Sequence, residues 1–76
     1  MKDLVTFIVR NLVESPDAVE VREVAGDKAQ VYEVKVNEAD LGKVIGKQGR
    51  TIRSVRTLVS AAASREGKRA TVEVVD

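Results

Sequence analysis

The chain contains no cysteine and no histidine, and its only aromatic residues are Phe7 and Tyr32. Without cysteine there is neither a disulfide framework nor a thiolate metal site. Without histidine, the commonest general base and the commonest metal ligand are both missing. Pro16 is the single proline, and no apolar run approaches the roughly 20 residues of a membrane span. No signal-peptide pattern opens the chain, so a cytoplasmic protein with no membrane association is expected. What remains is 76 residues, near the lower size limit for an unstapled domain, with 43% apolar content supplied mainly by valine. That suffices for one small core, and no repeat, linker or low-complexity tract marks a second domain.

The net charge of +1 conceals a strong segregation. Between Leu41 and Arg69, eight cations (Lys43, Lys47, Arg50, Arg53, Arg56, Arg65, Lys68 and Arg69) face Glu66 alone, leaving the rest of the chain acidic. One basic region on an acidic body is a footprint of nucleic-acid partners. A solvated helix face neutralised by the acidic half is the plainer reading.

In chain order, Asp3–Val13 shows helical periodicity. Leu4, Phe7, Ile8 and Leu12, with Val5, Val9 and Val13, make a wide apolar face, and Asp3 caps or favours the N-terminus. Ser15-Pro16-Asp17 ends that helix. Residues 18–24 and 32–36 alternate as strands around an Ala25–Lys28 turn, predicting an antiparallel hairpin. Asn37 or Asp40 then caps a short helix over Leu41, Val44 and Ile45. A longer helix runs from about Arg50 to Arg65, burying Ile52, Val55, Val59, Ala62 and Ala63, and Glu66-Gly67 closes it. Ala70, Val72 and Val74 share one face of a last strand. The predicted order α-β-β-α-α-β gives a two-layer α+β sandwich, three strands with helices on one face. The last strand, reached through two helices, is free to pair in parallel.

Between the two later helices stands Val44-Ile45-Gly46-Lys47-Gln48-Gly49-Arg50-Thr51-Ile52. Glycine lacks a Cβ, so another backbone can approach Gly46 and Gly49 closely. Amides freed where a turn opens a helix favour an anion, and Lys47 and Arg50 add positive charge there. Lys43 and Arg53 extend the basic run, and Gln48 offers a hydrogen-bonding amide. Other phosphate motifs fit poorly: Gly42 to Gln48 is one residue short of a Walker A spacing and lacks its serine or threonine. No activated nucleophile or pocket of carboxylates is visible, so neither an enzyme, a metal, a cofactor nor a small-molecule substrate is called for. Asp27, Glu38 and Asp40 read as turn and cap residues.

The G-x-x-G, with Val44-Ile45 before it, Ile52 after it, helices on both sides and a hairpin upstream, resembles the KH domain. In that family this loop clamps a few nucleotides of single-stranded nucleic acid. The element order resembles the type II, prokaryotic arrangement, and the resemblance covers residues 1–76 as a single KH domain. Leu41 to Ile52 together with Val55-Arg56-Thr57-Leu58 is similar to the small single-domain bacterial KH proteins of the KhpA (YlqC) family. The resemblance implies single-stranded RNA as partner and an RNA-chaperone or post-transcriptional role in bacterial cytoplasm. It also implies self-association, or pairing with a larger KH-containing protein of the Jag/KhpB type, and links to cell wall and cell shape.

On that reading Gly46, Lys47, Gln48, Gly49, Arg50, Arg53 and Lys43 hold the phosphates. The bases lie over an apolar groove of Leu41, Val44, Ile45 and the adjacent strand edge. No aromatic is near, so stacking worth about 1–3 kcal/mol per base is missing and a single domain should bind weakly. Ile45, Ile52, Val55 and Val59 read first as core, with only the rim of Ile45 reaching a base. Gly42 allows close helix packing or close approach. Arg65, Lys68 and Arg69 form a solvated helix end rather than a binding surface. Leu58, with Thr57 and Ala61, offers a pairing surface or is peripheral core. Two other functions stay open: an assembly subunit with little RNA affinity, and single-stranded DNA binding.

Overall fold

A computed structural model describes residues 1–75. The elements are α1 (Lys2–Arg10), β1 (Glu20–Ala25), β2 (Gln30–Lys35), α2 (Leu41–Ile45), α3 (Arg50–Arg65) and β3 (Ala70–Val75), with one-turn 3-10 segments at Pro16–Ala18, Glu38–Asp40 and Lys47–Gly49. The sheet order is β1-β2-β3. β1 pairs antiparallel with β2 and β2 pairs parallel with β3, as the two-helix crossover allows.

Register decides which strand residues meet the helices. Val21, Val34 and Val74 lie opposite one another across the three strands, as do Tyr32 and Val72, and all pack into one core with the helices. The other parity carries Arg22, Glu33, Lys35 and Glu73 on the open face, where Arg22 bridges Glu33 at 2.7 Å. Val24 falls on that open face opposite Val31, because its parity differs from that of Val21.

The centre of the core is almost entirely valine: Val5, Val9, Val34, Val44, Val59 and Val72 are fully buried. Ile52, Val55 and Ala63 add the inward stripe of α3. The stripe of α1 is narrower than expected. Val5 and Val9 are enclosed, whereas Phe7 is 66% exposed and Leu4 stands at the surface. Phe7 is two residues from both valines, about 200° around the helix, and faces away from the sheet. The helix also stops three residues early. Asn11 folds its side-chain amide back onto the Phe7 carbonyl at 2.7 Å, and Leu12 and Val13 reach the core from the following turn. Met1 occupies the N-cap position, and Asp3 acts within the first turn.

Asn37 caps the Glu38–Asp40 turn, accepting from the Ala39 amide at 3.0 Å, while Asp40 stands at the N-cap position of α2 without a side-chain cap bond. Asp40 is 2% exposed and accepts from the amides of Glu14 at 3.2 Å and Ser15 at 3.1 Å. It thus ties the segment after α1 to the base of α2, the helix that leads into the glycine-bracketed loop. Asp40→Asn keeps one acceptor and loses the other, so a loss of about 1–3 kcal/mol in urea unfolding is expected.

Candidate nucleic-acid interface

Gly46 ends α2 with φ 77° and ψ 169°, a region that only glycine occupies readily. The Lys47–Gly49 turn that follows keeps Gln48 at φ 57° and Gly49 at φ 72°, so the chain reverses within four residues and enters α3. Two loop amides turn inward: Gly46 N–H donates to the Gly42 carbonyl at 2.8 Å, and Gly49 N–H to the Gly46 carbonyl at 3.0 Å. The amides of Lys47 and Gln48, both exposed residues, have no main-chain partner among the described residues. These two, at the mouth of a 16-residue helix, are the free donors of the loop.

The side chains sort into two groups. Lys47, Arg50 and Arg53 are exposed and form no ion pair among the described residues. Arg50 Nη2 donates to Gln48 Oε1 at 3.2 Å, which holds the guanidinium beside the turn. Lys43 does not join them. Its ammonium sits 2.9 Å from Glu14 and 3.8 Å from buried Asp40, so its charge is already matched. Val44 is fully buried and supports the loop from beneath, which removes it from any contact surface. Ile45, 37% exposed, remains at the rim beside Gly46.

Two recesses lie near these residues. Leu41 lines the first with Lys35, Val36 and Glu38. The second, a shallow cleft that includes Arg53, runs between α3 and the free edge of β3, lined also by Thr57, Ala61, Ser64 and Ala70. Arg56, counted in the basic run but given no site role from the sequence, lines this cleft too. Its Nε–H donates to the Val72 carbonyl at 2.8 Å, capping an acceptor on the outer edge of the sheet. Nothing local marks that contact, because the two residues are 16 positions apart.

Thr57 and Ala61 face this cleft, while Leu58, 100° around the helix from Thr57, does not line it. Leu58 is 58% exposed and so lies outside the core. Gly42 has open space where a Cβ would stand, which rules out close helix packing there.

A family model for the KH domain of KhpA/KhpB matches residues 2–74. The chain belongs to the KhpA/KhpB KH-domain family. Its relatives match from end to end. It is 52% identical over 75 residues to the RNA-binding protein KhpA of Caldanaerobacter subterraneus subsp. tengcongensis, covering 99% of this chain and 100% of that one. Against the RNA-binding protein KhpA of Clostridium perfringens it is 48% identical over the same shares of both chains. Against that of Aquifex aeolicus it is 43% identical, covering 100% of this chain and 96% of the relative. The observed α-β-β-α-α-β order is the type II KH fold, and the KhpA/KhpB family is one of KH-domain RNA-binding proteins, not of enzymes. Among the described residues of this KH domain, no helix is long and apolar enough to cross a membrane.

Proposed function

We propose that the chain holds short unpaired RNA, with phosphates at the Gly46–Gly49 turn and bases directed into the α3–β3 cleft. The observation that carries this reading is the pair of unpartnered amides at Lys47 and Gln48 flanked by the unpaired cations Lys47, Arg50 and Arg53. The cleft has no aromatic platform, so holding is weak and tolerant of sequence, which suits an RNA chaperone or post-transcriptional regulator in the cytoplasm. Useful affinity then comes from a second KH chain, either another copy or a larger KhpB/Jag-type partner, through effective concentration. Exposed Leu58 supports pairing through the side of α3 turned from the cleft, an arrangement that leaves the cleft open.

The test is the salt dependence of binding to an unstructured RNA, read by fluorescence anisotropy. Three phosphate contacts on a single strand give a slope of log affinity against log salt of about −2. A flat response favours the assembly-subunit reading. Competition with a DNA of the same sequence separates RNA from single-stranded DNA, since the 2′-hydroxyl is their systematic backbone difference.

A further inference from the structure

At the far end of α3 the chain turns through Gly67, at φ 72°, and Lys68 N–H closes the helix onto the Ala63 carbonyl at 2.9 Å. Under that turn lies a cavity of about 310 Å³, walled by Tyr32, Glu23 and Glu66 and edged by Lys68 and Arg69. Tyr32 is 4% exposed, yet its hydroxyl has no hydrogen-bond partner among the described residues and is not sealed from solvent. The cavity is where that hydroxyl meets water. Burial first, then the charges of Glu23 and Glu66, push the Tyr32 pKa above its usual value, so the phenol stays a neutral donor at physiological pH.

This set has a definite complement. Two carboxylates supply acceptors, Glu23 also taking a long 3.5 Å bond from the Gln30 amide, the phenol supplies a donor, and two cations stand beside the opening. A ligand that fits offers adjacent N–H donors, a nearby carbonyl acceptor and a phosphate. Among nucleobases guanine alone carries N1–H and N2–H₂ next to O6 on its Watson–Crick edge. Uracil has one N–H between two carbonyls, and adenine and cytosine each have one exocyclic amine beside an acceptor nitrogen.

Resting on the RNA-holding reading above, we infer that this cavity takes a guanine from the same strand that the loop clamps. Ala70 lines both the cavity and the α3–β3 cleft, so one residue at the start of β3 borders the two. The 16 residues of α3 separate loop from cavity by about 24 Å. At 3.4 Å per nucleotide that is about seven stacked nucleotides, fewer in an extended strand. Lys68 and Arg69 hold the phosphate beside the guanine, and Tyr32 with the two glutamates reads its edge.

The experiment compares the RNA octamers U8, U7G and GU7 on the full chain, so that the guanine is offered at either end of the strand. One of the two guanine-ended octamers should bind at least about fivefold tighter than U8. Replacing that guanine by inosine, which lacks the N2 amine, should remove most of the gain. Tyr32→Phe and Glu66→Gln should each erase the preference while leaving U8 affinity unchanged. In parallel, NMR titration should show GMP, and not UMP, shifting the ring resonances of Tyr32, the only tyrosine. Equal affinity for all three octamers, or equal shifts from the two nucleotides, overturns the inference. Failure of every octamer to bind would instead remove the RNA-holding reading, and the GMP titration would still decide the cavity.

Discussion

Replacing Lys47 and Gln48 together by aspartate removes RNA binding and leaves the thermal midpoint within about 3 °C of the parent. The size of the first effect follows from what the loop presents. One substitution reverses a cation that has no internal partner, and the other places a carboxylate where Arg50 now reaches Gln48. Two new negative charges beside the free amides repel the phosphate those amides attract. A single lost phosphate contact lowers the salt slope by about 1, whereas two added anions reverse the local field, so affinity falls well beyond tenfold. The fold is spared because both side chains are exposed and neither touches the core. Gel shift and circular-dichroism melts on the same preparation read the two halves. Undiminished RNA retention would remove the loop from the interface.

Alanine at Gly46 is expected to cost more than about 3 kcal/mol, while alanine at Gly49 costs about 1–2 kcal/mol. Both glycines have positive φ, but their surroundings differ. At Gly46 the backbone sits at φ 77° and ψ 169°, and an added Cβ would run into the side chain of Thr51 and lie 2.8 Å from its backbone nitrogen. Thr51 is in the first turn of α3, so relief requires moving the helix. At Gly49, in the left-handed helical region, an added Cβ meets nothing within 4 Å and only the backbone preference is lost. In a domain this small, 1 kcal/mol moves the midpoint by about 4–8 °C, so the two variants should melt more than about 5 °C apart. Similar melting of both would show that the Thr51 contact does not limit the loop.

Much of this was readable in the residues because the periodicities are clean where burial is one-sided. The inward set Ile52, Val55, Val59 and Ala63 and the change of period after Asn37 place α3 and the parallel strand within a residue or two. The same argument misplaced Phe7, since an apolar residue on a short helix counts toward the face whether or not the fold covers it. The loop was legible for a chemical reason: glycines that must adopt positive φ announce themselves. Lys43 and Val44 were not, because what removes them is tertiary. Glu14 comes from the end of the first helical region to meet Lys43, and the core closes over Val44. The bond from Arg56 to Val72 was invisible for the same reason, as its acceptor is supplied by a strand that arrives only after the helix is complete.

The guanidinium of Arg56 on Val72 bears on how the molecule behaves in a crowded cell. A three-stranded sheet ends on each side in a row of main-chain groups that any stray segment of extended polypeptide can zip onto, the first step toward fibrils and precipitates. By plugging one acceptor midway along β3, a single arginine breaks that row into pieces too short to template another strand. The side of the sheet beside the cleft is thereby shielded from pairing with another strand.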